Sequence, residues 1–198
     1  MKILAVSDFH GDQIRAKEMA ETAAKEQVDL VLIAGDLVNH EGNVEGIVGP
    51  FKAKGLEVGV IPGNHEGMAE IGFLVDHYGA KNLHGYVFKK GDVGIFGCGY
   101  GNCGRHQLQG SDVFNTLKKG HEALTDVKKK IMLTHMHPED SILSLGLFPG
   151  CEGVRKAIEE FKPDIHICGH MHESEGLEDT IGKTRVINVG KKGKIFEL

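Results

Sequence analysis

The chain has 198 residues, with 23 Lys plus Arg against 28 Asp plus Glu and a formal charge of −5. It is 40% hydrophobic and 26% charged, enough for one core of ordinary domain size, which excludes a disordered chain and disfavours a protein built to grip a nucleic-acid backbone. Two counts are unusual: 28 glycines, about twice the usual share, and 12 histidines in a chain without tryptophan.

Short Ile/Val/Leu runs alternate with segments of helical period, the pattern of βαβ units. Residues 3–6 predict a buried strand that meets a carboxylate at Asp8. The run is too short for a secretory signal. Ala16, Met19, Ala20 and Ala23 then fall on one helical face behind Asp12, a suitable N-cap. Residues 30–34 and 58–61 predict two more buried strands, separated by an irregular or short helical piece over 44–54. Ile71, Leu74, Val75 and Tyr78 mark a second clear helix. Residues 86–88 and 93–96, split by Lys89-Lys90-Gly91-Asp92, predict a hairpin. A helix with Phe114, Leu117 and Leu124 inward follows, then strand 131–133. The last helix, with Val154, Ala157, Ile158 and Phe161 inward, closes at Lys162-Pro163 before strand 165–168. The tail, 177–180 with 184–189 and 194–198, has the pattern of an antiparallel meander. The hairpins need a sheet of their own, so the expected fold is an α/β sandwich of two sheets covered by helices, one domain over residues 1–198.

No segment approaches the ~18 consecutive apolar residues of a membrane span. Cys98, Cys103, Cys151 and Cys168 form no CxxC pair, which predicts reduced thiols and a cytoplasmic location. The basic runs Lys118-Lys119 and Lys128-Lys129-Lys130 are solvated edges on this reading.

The chemistry-bearing residues gather at strand ends. Strand one ends in Asp8-Phe9-His10-Gly11, strand two in Gly35-Asp36, and strand three in Gly63-Asn64-His65-Glu66. The strand near residue 131 ends in Thr134-His135, and the next in Gly169-His170-Met171-His172. In α/β folds the C-terminal strand ends share one edge, where ligands bind. Carboxylate, imidazole and one amide without thiolate suit first-row divalent metals such as Mn, Fe, Zn, Co or Ni. Seven such ligands exceed one ion's needs, whereas two ions about 3.5–4 Å apart would use them all.

Taken in order, Asp8-x-His10, Gly35-Asp36, Gly63-Asn64-His65-Glu66, His135 and Gly169-His170-x-His172 closely resemble the calcineurin-like metallophosphoesterase superfamily, over residues 8–172. The resemblance implies a four-layer α/β/β/α sandwich with a dinuclear metal site that hydrolyses phosphate esters. By motif, Asp8, His10, Asp36 and His172 would hold one ion, and Asp36, Asn64, His135 and His170 the other, with Asp36 bridging. A hydroxide between the ions would attack phosphorus, Asn64 would help neutralise developing charge, and His65 would contact the phosphate and protonate the leaving oxygen. The protein Ser/Thr phosphatases of this superfamily follow Gly-Asp with an orienting Asp and a phosphate-gripping Arg; here the run continues Leu37-Val38-Asn39-His40-Glu41-Gly42 without either. That departure favours a diester, as in the small prokaryotic phosphodiesterases, with a small or nucleotide-like substrate that could be a cyclic nucleotide. A phosphomonoesterase, a nuclease of the same fold and a catalytically silent scaffold are the alternatives. Nucleic acid is disfavoured by the acidic balance, no membrane partner is expected, and a homo-oligomer is compatible.

His40 and His137, just beyond motifs, are candidates to touch substrate. Glu66 could orient His65 or cap a helix. His77, His84, His106, His121 and His166 fit surface or helix-face positions. The apolar segment 143–150 could line the pocket, form a dimer contact or pack as core, and the glycine-rich loop holding Cys98 and Cys103 could serve a metal or redox role but is assigned none.

Overall fold

Strand β1 (Lys2–Val6) buries both faces, because Leu4 and Val6 join one apolar cluster while Ile3 and Ala5 join another. The same alternation recurs in β2 (Leu30–Ala34), where Val31 and Ile33 face outward under helices and Leu30, Leu32 and Ala34 face inward. A strand covered on both sides reads as a continuous apolar run, and such runs mark the central strands of this molecule. The computed structural model describes residues 1–38 and 42–198.

β1 and β2 belong to a sheet completed by β3 (Val58–Ile61), the short β4 (Lys81–Asn82) and β11 (Lys194–Glu197), in the order β11-β1-β2-β3-β4. Its four consecutive strands β1 to β4 run parallel, and β11 is antiparallel to β1. A second sheet holds β5 (Val87–Lys90), β6 (Val93–Cys98), β7 (Lys129–Thr134), β8 (Ile165–Cys168), β9 (Glu178–Ile181) and β10 (Thr184–Asn188), ordered β5-β6-β7-β8-β10-β9. Strands β6, β7, β8 and β10 are parallel, and the edges β5 and β9 are antiparallel.

Helices α1 (Gln13–Lys25), α2 (Gly49–Ala53) and α3 (Met68–Tyr78) cover the first sheet, and α4 (Gly110–Ala123) and α5 (Glu152–Phe161) cover the second. Three apolar clusters therefore separate four layers: α1–α3 over sheet one, sheet against sheet, and sheet two under α4 and α5. This is the α/β/β/α sandwich. The Asp12 carboxylate accepts from the Arg15 N–H at 2.9 Å and caps α1, whose Ala16, Met19, Ala20 and Ala23 are buried as their spacing requires. No helix among the described residues is long and apolar enough to cross a membrane.

Two expectations change. The tail is not one meander: β9 and β10 form a hairpin on the second sheet, but β11 crosses to pair with β1, Ile3 opposite Phe196. Phe196 enters the cluster between the sheets, and burying an aromatic ring there outweighs the shorter connection that a local hairpin would offer. His166 is not a surface residue but is fully buried within β8. The Thr134 hydroxyl donates to the Met136 carbonyl at 2.6 Å, so its oxygen must accept from His166 Nε2 at 2.7 Å. Nδ1 is left bare of a partner.

Burial holds the His166 pKa down to about 3, whereas the unfolded chain titrates near 6.5. The unfolded state therefore binds the extra proton between those values, and stability falls as pH drops through about 6.5. Urea unfolding of chelator-treated protein is expected to show His166 costing roughly 2 kcal/mol between pH 6.5 and pH 5. His166→Gln, which keeps a donor for Thr134, should flatten that part of the pH dependence. An identical pH slope in the variant would assign the acid sensitivity elsewhere.

Candidate metal centre

Parallel strands carry their C-terminal ends to one edge, and both sheets do so on the same side. Each strand end then makes a tight turn. Asp8, His10, Asp36 and His170 all adopt left-handed backbone, with φ of 58°, 48°, 53° and 68°. Non-glycine residues avoid that region at a cost of order 1 kcal/mol or more, so four such residues at one edge mark a place where side-chain direction overrides backbone preference. Glycines make the close approach feasible. A Cβ on Gly63 would lie 2.0 Å from Asp36 Oδ1, and one on Gly169 would lie 2.1 Å from Ser7 Oγ and 2.5 Å from Asp8 Oδ2.

Three overlapping groups of donor atoms result, Asp8 with His10 and His172, His10 with Asp36 and His65, and Asp36 with His135 and His170. His10 Nε2 is 3.1 Å from His172 Nε2 and 3.6 Å from Asp36 Oδ2, while His172 Nε2 is 3.6 Å from Asp8 Oδ1. On the other side His135 Nε2 is 3.4 Å from Asp36 Oδ2, 3.0 Å from Asn64 Oδ1 and 3.2 Å from His170 Nδ1. His65 Nε2 lies 3.9 Å from Asp36 Oδ2, and the His65 backbone N–H donates to Asp36 Oδ1 at 3.2 Å. Asp36 is thus common to both sides, with one carboxylate oxygen within 3.9 Å of His10, His65 and His135.

Electrostatics agree with this geometry. Burial opposes ionisation of Asp36, yet His135 at its side draws the carboxyl well below its usual range. Asp8 is likewise lowered against its burial, chiefly by the hydrogen bond with His172. Burial disfavours a charged His135, but the Asp36 carboxylate pushes it up to about 9. The carboxylates thus favour positive charge at His135 and His172, whereas burial, with His135 close by, lowers His170 to about 4. Converging lone pairs of imidazole, carboxylate and one amide, without sulfur, are a donor set that suits one or two first-row divalent cations. The ligands are also braced from behind. His135 Nδ1 faces the Ala34 carbonyl at 2.7 Å, which fixes Nε2 toward Asp36. Asp8 accepts from the Ser7 hydroxyl and from the His170 N–H.

All seven residues expected to hold metal, together with His65, meet at this edge. His40 lies outside the described residues. His137 is buried and belongs to none of the three donor groups, and burial lowers its pKa. Glu66 is committed to the backbone, accepting from Gly63 N–H at 2.6 Å and Leu37 N–H at 3.0 Å. It ties the turn after β2 to the turn after β3, while the cap of α3 falls to Glu70, which accepts from Gly67 N–H at 2.9 Å. Burial, with Asp36 close by, raises Glu66 to about 7. Ser7 is a supporting residue that the sequence reading missed, because a serine before an aspartate carries no pattern of its own. The apolar segment divides: Leu143 is core, whereas Leu145, Leu147 and Phe148 are exposed.

Residues 1–174 match the model of the calcineurin-like phosphoesterases. The chain belongs to that family. A protein of Methanocaldococcus jannaschii named only as uncharacterized is 26% identical over 97% of this chain and 89% of its own length. A crystal structure from Thermus thermophilus superposes with a TM-score of 0.77 at 18% identity, over 98% of this chain and 97% of that one. An archaeal protein described as a novel phosphodiesterase superposes with a TM-score of 0.57 at 19% identity, covering 96% of this chain and 84% of that one. These likenesses show the sandwich shared by calcineurin-like phosphoesterases; the residues at the strand ends carry the rest.

Proposed function

We propose that this chain, one domain over residues 1–198, is a metal-dependent phosphodiesterase acting on a small or nucleotide-like ester, cyclic nucleotides included, in the cytoplasm. The observation that carries this reading is the shared Asp36 carboxylate, within reach of donor groups on both sides. Asp8, His10, Asp36 and His172 would hold one ion, and Asp36, Asn64, His135 and His170 the other, with Mn the first choice. Such a pair supplies Lewis acidity at phosphorus and acidifies a water enough for attack near neutral pH.

The chain's own groups do the remainder. Asn64, buried and 3.0 Å from His135, presents its amide where charge grows on the phosphoryl oxygens. His65 stands edge-on to His10, ring centroids 4.9 Å apart, with a third of its side chain open to solvent. That position lets it meet an incoming ester and pass a proton to the departing oxygen, for which imidazole is well matched near neutral pH. Ser7, Ala34 and Glu66 hold the ligands and turns in place. The diester preference rests on the run after Gly35-Asp36, which lacks the phosphate-gripping Arg of the protein phosphatases.

An assay of Mn-supplemented protein on an aryl phosphate monoester, a bis-aryl phosphate and cyclic nucleotides tests the reading. Turnover of the diesters is expected to exceed that of the monoester. A monoester preference would reverse the substrate class, and no turnover on any of them, with no metal retained, would favour a silent scaffold.

A further inference from the structure

Three of the four arginines are committed to carboxylates: Arg15 to Glu18 at 3.1 Å, Arg155 to Glu159 at 2.6 Å and Arg185 to Glu178 at 2.7 Å. Arg105 is exposed and has no ion pair or hydrogen bond from its guanidinium among the described residues. In a chain with 28 acidic residues an uncommitted guanidinium is worth locating, and this one belongs to a loop whose Cys103 and Gly104 touch residues of the metal centre.

Residues 99–108 form an arch tied to the centre's walls. Tyr100 N–H donates to the Pro62 carbonyl at 2.9 Å, His106 N–H to the Asn64 carbonyl at 3.2 Å, and Leu108 N–H to the Gly101 carbonyl at 2.9 Å. Gly99 N–H donates to His84 Nδ1 at 2.9 Å, and the Tyr100 ring sits between His84 and His106, 4.9 and 5.8 Å from their centroids. Two of the histidines without a catalytic place are thus arch supports. At the crest, Cys103 Sγ is 3.7 Å from His170 Nε2, and Gly104 packs so closely that a Cβ there would lie 2.7 Å from Asn64 Nδ2. Arg105 follows, one Cα step of about 3.8 Å further along. Residues 102–105 are exposed although the arch beneath them is firmly bonded. Cys103 and Gly104 thus touch His170 and Asn64, and the next residue carries an exposed guanidinium on a flexible stem with no carboxylate among the described residues to hold it elsewhere, a fork of donors free to meet an anion that enters the site.

We propose that Arg105 is a specificity-determining residue whose guanidinium binds non-bridging phosphoryl oxygens of the substrate on the Asn64–His170 side. This rests on the phosphoesterase reading and refines it. This guanidinium comes from the arch and not from the run after Asp36, and it would contact the anionic oxygens that a diester and a monoester share, so the expected order of turnover stands. The planar fork matters as well as the charge, so Lys is a poor substitute.

The test compares the Mn-loaded wild type with Arg105→Ala and Arg105→Lys. Inorganic phosphate is the competitive inhibitor, and an aryl phosphate monoester and a bis-aryl phosphate are the substrates. Loss of one charge-assisted contact should weaken phosphate inhibition roughly tenfold in Arg105→Ala. KM for the monoester should rise to a similar extent, with less change for the diester, little change in kcat and unaltered metal content. Arg105→Lys should recover only part of the loss. Unchanged phosphate inhibition and unchanged KM in Arg105→Ala would overturn the proposal, as would full recovery by Lys for the role of the fork. Should wild-type protein turn over neither ester, the phosphoesterase reading fails, while calorimetric phosphate binding to the same variants still decides whether Arg105 holds the anion.

Discussion

Asp36→Asn is expected to abolish metal retention and reduce turnover by at least about a hundredfold, the upper scale for losing even an outer partner of a metal ligand. The substitution preserves shape and one carbonyl oxygen but removes the charge. That charge sits in a side chain only 3% exposed, with His10, His65 and His135 all within 3.9 Å of one oxygen. Because Asp36 belongs to two of the three donor groups, one with His10 and one with His135 and His170, its loss should act on both ions together, unlike replacement of His172 or His170. Elemental analysis of purified variant and wild type, with thermal unfolding to show that the variant folds, gives the answer. A folded Asp36→Asn protein with two ions and full activity would remove the bridging assignment.

His65→Ala should behave in the opposite way, keeping both ions while losing turnover by about 10²–10⁴, the range for a general acid. The loss should depend on the leaving group. An alkyl ester departs as a strong base and needs the proton, whereas a nitrophenyl ester departs unaided. Equal losses on the two esters would mean that His65 positions substrate instead of protonating it. The two variants separate holding metal from using it, a division that the geometry already suggests, since His65 touches the Asp36 group from the solvent side with a third of its side chain open.

Much of this architecture was legible because β1, β2, β3, β7 and β8 are buried on both faces, giving continuous apolar runs, and because each ends abruptly in Asp, Asn or His. Alternation within those runs then placed Leu4 and Val6 in a different layer from Ile3 and Ala5. What sequence spacing could not supply was long-range pairing. Nothing local distinguishes β11 as a third hairpin strand from β11 as the partner of β1, at the other end of the chain; the inter-sheet cluster that receives Phe196 decides it. His166 was misread for a related reason. A polar residue in a strand reads as solvent-facing, and only the fold shows that Thr134 stands 2.7 Å away to receive its proton. The seven candidate ligands were readable because metal chemistry demands residue types that chance rarely aligns at five strand ends. Arg105 was not, since its interest lies in having no partner, and the absence of a partner has no sequence pattern.

The β1–β11 pairing also places residues 1 and 198 side by side. Met1 N donates to the Leu198 carbonyl at 2.7 Å, and Leu198 N–H returns a bond to the Met1 carbonyl at 3.0 Å. Both residues lie at the edge opposite the metal centre, as does the exposed Gly182-Lys183 turn between β9 and β10. A short linker joining residues 198 and 1, with new ends opened at Gly182, therefore yields a circular permutant that leaves every strand-end ligand where it was. Such a rearranged chain would carry fusion tags on the face remote from the substrate's approach.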